Sequence, residues 1–84
     1  MCRNITMLRG LQPTATTEEI ESAARQYVRK VSGVSATSKN TELVFENAVR
    51  IIAEATRELL RDLPPRLQPP PTLPPLRRPR AATN

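Results

Sequence analysis

Apolar residues recur at helical spacing in two stretches of this 84-residue chain, and the first stretch lies between Thr16 and Gly33. Thr16 and Glu19 have the spacing of a capping box, in which each side chain accepts a hydrogen bond from the other residue's backbone N–H. Gly33 is a natural helix stop, since glycine readily adopts the left-handed conformation that closes many helices. We therefore predict a helix over residues 17–32. Its apolar stripe comprises Ile20, Ala23, Ala24, Tyr27, Val28 and Val31.

The second stretch predicts a longer helix, over residues 40–62, with Ser38 or Asn40 as its N-cap. Pro64 ends it, because proline lacks the backbone N–H that a helix needs. The link over residues 33–38 is short, which favours an antiparallel two-helix hairpin. The face turned towards the first helix is predicted to hold Phe45, Ala48, Val49, Ile52, Ala55, Thr56, Leu59 and Leu63.

The second helix is apolar over more than one face, and a single partner helix cannot cover all of it. The residues outside the inner face are Leu43, Val44, Ile51 and Leu60. One alternative is that an N-terminal arm over residues 1–12 covers them, with Ile5 and Leu8 against the helices. The other is a homodimer that completes a four-helix arrangement. We favour the homodimer, because a foldable part of about 63 residues has a marginal core.

Composition changes abruptly after residue 63. The segment over residues 64–84 holds eight of the nine prolines and four arginines with no acid, so it carries most of the chain's net charge of +5. Such a segment favours polyproline II or disorder. We expect an all-α helical domain over residues 1–63 and a disordered, basic tail. Because the charge is not spread over a face of the folded part, it supports a nucleic-acid partner only weakly.

Few residues suggest chemistry. The chain has no His, one Cys and two Gly, which leaves no metal-binding, cofactor-binding or phosphate-loop motif, and we expect neither an enzyme nor a bound cofactor. Cys2 is the candidate reactive residue, because a thiol near the amino terminus and Arg3 can ionise readily. A lone cysteine is more often a small buried apolar residue. No apolar run approaches the length of a membrane span, so we expect a cytoplasmic protein.

Four polar residues are candidates for binding. Arg3 and Asn4 can contact an anion, although holding the arm against helix ends is the simpler role for them. Arg29 and Lys30 can form a basic patch, although cations in the last turn of a helix also compensate its dipole. With Arg77, Arg78 and Arg80 of the tail, this second pair makes nucleic-acid association an alternative function.

Three segments resemble a known family. They are Met1-Cys2-Arg3-Asn4-Ile5, Ala15-Thr16 before the first helix, and Tyr27-Val28-Arg29-Lys30-Val31-Ser32-Gly33 at its end. These residues are similar to domain of unknown function family 2277, a group of small bacterial proteins, over about residues 1–63. The chain departs from the family pattern at Thr6, where Lys is usual, and over residues 34–38, where a Lys-Pro-Ser run is common. The resemblance implies a cytoplasmic bacterial helical protein, and the family name implies no activity.

Together these patterns predict a small non-enzymatic interaction protein whose binding surface is built from the arm and the helical hairpin. Its expected partners are a second copy and a protein that the sequence does not identify. The alternatives are nucleic-acid association through the basic residues and a redox or acyl-accepting role for Cys2.

Overall fold

A computed structural model describes residues 5–66 and 68–78. Within these ranges the chain forms two α-helices and a short 3₁₀ helix, and no strand. Helix α1 spans Thr17–Ser32, helix α2 spans Glu42–Asp62, and the 3₁₀ helix spans Pro75–Arg77. The two α-helices pack against each other. The all-α prediction is therefore confirmed for the described residues.

Helix α1 has the predicted bounds because both of its ends are capped as expected. The backbone N–H of Glu19 donates to Thr16 Oγ1 at 3.1 Å, and the N–H of Thr16 donates to Glu19 Oε1 at 2.9 Å. At the other end, Gly33 has a φ of 73°, and its N–H donates to the carbonyl of Arg29. These contacts satisfy backbone groups that a helix end would otherwise leave unpaired.

Helix α2 begins two residues later than predicted, and the predicted N-cap was wrong. Thr41 is the N-cap, and its side chain makes no capping hydrogen bond. The Thr41 hydroxyl accepts a hydrogen bond from the N–H of Ser38 at 2.8 Å, while the carbonyl of Ser38 accepts from the N–H of Glu42 at 2.8 Å. Residues 38–41 therefore form a turn before the helix.

The core lies between the helices and the N-terminal arm. Its buried apolar residues are Leu8, Leu11, Ile20, Ala24, Val28, Phe45, Val49 and Ala53. The predicted inner face of α2 is rotated in the structure: Ala53 is buried and Leu60 half-buried, whereas Ala55 and Leu59 are exposed. Burial at every fourth position from Phe45 places the core side of α2 slightly to one side of the predicted stripe.

The two helices run antiparallel, as predicted. Arg25, in the second half of α1, forms an ion pair with Glu46, near the start of α2, while Ile20 lines a groove with Leu60 at the far end of the helix. Both carboxylate oxygens of Glu46 accept from Arg25, at 2.6 and 2.9 Å, and these hydrogen bonds, followed by the charge of Arg25, hold the pKa of Glu46 below its usual value.

An i, i+4 pair between Glu46 and Arg50 is the arrangement their spacing favours, but Glu46 pairs with α1 instead. Arg50 contacts Asn47 Oδ1 at 2.7 Å and Glu54 Oε1 at 3.5 Å. Glu46 therefore pairs with Arg25 of α1 rather than with Arg50 of its own helix, because Arg25 makes a bidentate contact.

The arm contributes to the core through fewer residues than predicted. Leu8 is buried, as expected, but Ile5 is 37% exposed and packs less closely than predicted. Leu11 is also buried, and its N–H donates to the carbonyl of Leu8 in a turn. The turn brings both leucine side chains onto the helices.

Residues 64–66 and 68–78 of the proline-rich segment are packed in the structure, whereas its composition predicts a disordered tail over residues 64–84. We call residues 64–66 and 68–78 the tail strap, because they lie against the arm and the helices. Pro70 and Pro74 are buried, Arg9 donates two hydrogen bonds to the carbonyl of Pro64, and Arg77 forms an ion pair with Glu19. Proline residues bring little backbone entropy to lose on folding, so side-chain contacts of this kind can hold such a segment.

Candidate functional site

The structure describes two of the predicted site residues, Arg29 and Lys30. Cys2, Arg3 and Asn4 lie outside the described residues. Arg29 and Lys30 are exposed in the last turn of α1, next to the negative end of the helix dipole. A binding role for Arg29 and Lys30, and a reactive role for Cys2, remain predictions.

Two of the tail arginines, Arg77 and Arg78, are held by contacts within the fold. Arg77 Nη2 donates to Glu19 Oε1 at 2.9 Å, Arg77 Nε donates to Glu19 Oε2, and the side chain of Arg77 is only 18% exposed. Arg78 Nε donates to the carbonyl of Leu73 at 3.0 Å. Arg80 lies outside the described residues. Nucleic-acid association would use the guanidinium groups of these arginines, whereas the guanidinium of Arg77 forms an ion pair with Glu19.

Glu19 has two roles at this contact. Burial raises the pKa of its carboxyl group, but hydrogen bonds from Arg77 and Thr16, together with the charge of Arg77, outweigh that effect and lower the pKa below its usual value. The carboxylate is therefore ionised at neutral pH and joins the N-terminus of α1 to the tail strap.

The most distinctive surface is apolar. Exposed or half-buried apolar residues follow one side of α2 and continue onto the end of α1. We call this surface the apolar face; it consists of Tyr27, Val31, Val44, Ala48, Ile51, Ile52, Ala55 and Leu59. Val44 is 73% exposed and Ile51 is 51% exposed. Neither the described part of the arm, residues 5–12, nor the tail strap covers these two residues, as the monomeric alternative requires.

A groove between the helices lies within the apolar face. Its volume is about 420 Å³, and none of the residues that line it is charged. Its walls are formed by Tyr27 and Val31 of α1 and by Val44, Ala48 and Ile52 of α2. A contiguous uncharged surface of this kind is typical of a protein-binding site rather than of a site for polar chemistry.

The apolar positions of α2 on this face have a symmetric order. From Val44 to Leu59 the side chains are large, small, large, large, small and large, since Ala48 and Ala55 flank the central pair Ile51 and Ile52. The order is the same in both directions along the helix. An antiparallel copy of α2 would therefore place each alanine opposite an alanine and each large residue opposite a large one.

Sequence reasoning found part of this face. It placed Val44 and Ile51 outside the hairpin core, and both are exposed. It placed Ala55 and Leu59 on the inner face of α2, where both are in fact exposed, and it placed Tyr27 on the apolar stripe of α1, whereas Tyr27 is 49% exposed. The missed signal was the four-residue spacing of Phe45, Val49 and Ala53, which implies a core side rotated away from these residues.

Other kinds of site receive no support in the described ranges. Residues 5–66 and 68–78 contain no group of three or more His, Cys, Asp or Glu side chains that could hold a metal ion. No helix in the same ranges is both long enough and apolar enough to cross a membrane.

Comparison with known proteins gives a family and no activity. The family model described as "Uncharacterized conserved protein (DUF2277)" matches residues 1–84, the whole chain. The match therefore includes the proline-rich segment, which the sequence resemblance over residues 1–63 left out. Neither the curated proteins nor the solved structures contain a match to the chain.

Proposed function

We propose that this chain, which belongs to the family of uncharacterized conserved proteins (DUF2277), is a small non-enzymatic interaction protein that pairs with a second copy of itself through the apolar face. The observation that carries the proposal is the groove of about 420 Å³ lined by uncharged residues, with Val44 exposed in its wall and Ile51 exposed beside it. Covering a continuous, uncharged apolar surface removes it from water, and this stabilises the assembled form.

The symmetric order of the residues on α2 supports a second copy as the occupant. In an isologous dimer the same surface faces itself across a two-fold axis, so it must be complementary to itself. Antiparallel packing of α2 would set Val44 opposite the partner's Leu59, Ala48 opposite its Ala55, and Ile51 opposite its Ile52. The two alanine layers would allow the helices to approach closely, and the stripe would extend over about 22 Å.

The pairing gives the four-helix arrangement expected from the sequence. Each hairpin contributes α2 to the centre of the contact and the end of α1 to its side. Tyr27 then lies at the edge, where its ring is covered and its hydroxyl remains near water, an arrangement that suits tyrosine at interfaces. The family resemblance adds to the proposal a cytoplasmic location in a bacterium.

Light scattering after size-exclusion chromatography tests the proposal. At about 50 μM the full chain is expected to have twice its monomer mass of 9.4 kDa. Ile51→Glu is expected to give the monomer, because it places a charge at the centre of the contact, where desolvation is costly. Leu43→Glu is the matched control, since Leu43 is 82% exposed on α2 but lies about 100° around the helix from Val44.

A monomeric wild-type chain at this concentration would contradict self-association and would favour a different protein on the apolar face. Equal loss of the dimer in Ile51→Glu and Leu43→Glu would assign the contact to another surface. A cross-link gives an independent readout in a Cys2→Ser background. Ile51→Cys, close to the two-fold axis, is expected to form a disulfide-linked dimer, while Leu43→Cys stays monomeric under the same oxidation.

A further inference from the structure

A second groove lies at the other end of the hairpin, between the arm, the C-terminal part of α2 and the start of the tail strap. Its volume is about 400 Å³, and its lining contains no acidic residue. The apolar part of the lining includes Leu8, Leu11, Ile20, Leu60 and Leu63. The charged residues of the lining are four arginines: Arg9, Arg57, Arg61 and Arg66. We call it the arginine groove.

Two of these arginines are fixed by the backbone of the tail strap. Arg9 donates from Nε and Nη2 to the carbonyl of Pro64, at 3.0 and 2.6 Å, and Arg66 Nε donates to the carbonyl of Gln68 at 2.8 Å. Their partners at these atoms are neutral, so both positive charges remain uncompensated there. Each guanidinium also keeps further N–H donors for a ligand. Fixed donors bind an anion at a lower entropic cost than mobile ones.

The other two arginines project from α2 one turn apart. Arg57 is half-buried and has no hydrogen bond or ion pair with any residue of 5–66 or 68–78. Arg61 Nε donates to Asp62 Oδ1 at 3.1 Å, and its side chain is 67% exposed. Like charges at positions i and i+4 of a helix repel each other. An anion that contacts both arginines would remove this repulsion. It would stabilise Arg57 more than Arg61, because Arg61 already pairs with Asp62.

We propose that the arginine groove binds a small organic phosphate, with the phosphate on Arg57 and its neighbouring arginines. The apolar part of the molecule would lie on Leu8, Leu11, Leu60 and Leu63, which we call the leucine floor. A doubly charged phosphate neutralises more of the groove than a carboxylate does, and the guanidinium fork matches its oxygens. The volume of about 400 Å³ is in the usual range of small-molecule sites.

A ¹⁵N NMR titration of the full chain in phosphate-free buffer tests the proposal, with phenyl phosphate as the probe. Saturable shifts are expected for the backbone signals of Leu11 and Leu60 and for the Nε signal of Arg57. Inorganic phosphate is expected to bind several-fold more weakly, because it leaves the leucine floor uncovered. Benzyl alcohol, which lacks the charge, is expected to produce no saturable shift at these residues.

Variants assign the binding to the groove. Arg57→Gln is expected to weaken phenyl phosphate binding about tenfold, through loss of a charge-assisted contact, and Arg57→Lys less, since it keeps the charge without the fork. Arg50→Gln is the matched control, because Arg50 lies on the same helix outside this groove; it should change the affinity by less than about twofold. Ile51→Glu should bind phenyl phosphate like the wild type whether or not the chain dimerises.

Three results would overturn the proposal. The first is no saturable shift with phenyl phosphate at about 10 mM. The second is equal weakening by Arg57→Gln and Arg50→Gln, which would indicate nonspecific attraction to a basic protein. The third is displacement of phenyl phosphate by a single-stranded oligonucleotide at far lower concentration, with oligonucleotide binding that depends on Arg57. That result would make a nucleic-acid backbone the ligand of this groove.

Discussion

Gly10 and Gly33 both have left-handed backbones, with φ values of 92° and 73°, but their surroundings differ. A Cβ atom at Gly33 would meet no atom within 4 Å, whereas one at Gly10 would lie 2.9 Å from the carbonyl oxygen of Gln68. Gly33 is therefore required only for the left-handed conformation that ends α1. Gly10 also allows the arm and the tail strap to approach closely.

This difference makes a matched pair of substitutions informative. Gly33→Ala is expected to lower the free energy of unfolding by about 1 kcal/mol, the usual cost of a left-handed conformation with a Cβ atom. Gly10→Ala is expected to cost about 2 kcal/mol or more, because the strap must also move. Urea unfolding of both variants at one protein concentration measures the difference. Equal costs would contradict close packing between the arm and the strap.

Glu19 illustrates what sequence can predict of a single residue. Its capping role follows from Thr16 three positions earlier, and the structure confirms both hydrogen bonds. Its ion pair with Arg77 could not be predicted, because the two residues are 58 positions apart and no periodic pattern links them. Sequence spacing can therefore predict the contact of Glu19 with Thr16, whereas its contact with Arg77 depends on where the tail strap lies.

At the scale of elements, α1 was predictable and α2 only partly so. Helix α1 has one apolar stripe and a capping signal at each end, so local chemistry determined its bounds; Tyr27 and Val31 of that stripe are nevertheless exposed. Helix α2 has apolar residues around more than half of its circumference, from which periodicity alone cannot select the buried side. The arm and α1 make that selection by covering Phe45, Val49 and Ala53.

The contact between α1 and the tail strap should make stability depend on pH. The pKa of Glu19 is lower in the folded protein than its usual value of 4.5. The ionised carboxylate therefore contributes its full stabilisation above that value, and the contribution is lost as the pH falls through the lower, folded pKa. The free energy of unfolding of the wild type should decrease on acidification from about pH 5 downwards.

Arg77→Ala tests the same contact by mutation. At neutral pH it is expected to lower the free energy of unfolding by about 2 kcal/mol, since it removes the charged partner of a buried carboxylate. On acidification the variant and wild-type values should converge, because protonated Glu19 no longer needs Arg77. Arg50→Ala, which disrupts an exposed pair with Glu54, should change stability by less than about 0.5 kcal/mol. Parallel pH curves for Arg77→Ala and wild type would show that Glu19 is not the titrating group.

At the scale of the whole molecule, the tail strap extends the packed part of the chain beyond the two helices. Composition predicted polyproline II or disorder after residue 63, and it could not indicate whether the segment packs; the described residues 64–66 and 68–78 contain one short 3₁₀ helix. Burial of Pro70 and Pro74, with the contacts of Arg9 and Arg77, depends on surfaces made by other parts of the chain. The family match over residues 1–84 includes the same segment.

Truncation after Leu63 should therefore destabilise the protein rather than only shorten it. The expected loss is about 3 kcal/mol, from the unpaired carboxylate of Glu19 and the uncovered side of the arm. A chain ending at Arg78 keeps every contact of the strap described above and serves as the reference. Thermal unfolding at one fixed concentration compares the two, because self-association would make the midpoint depend on concentration. Equal midpoints would contradict a structural role for the strap.

The ion pair between Glu19 and Arg77 also bears on the order of events during folding. Helix α1 and its cap can form from contacts within their own residues, and the hairpin closes over a short link. The contact between Glu19 and Arg77 must close a segment of 58 positions. Closing so long a segment is slow compared with closing a hairpin. The folding chain would thus pass through a stage in which its helices are paired and its arm is still uncovered.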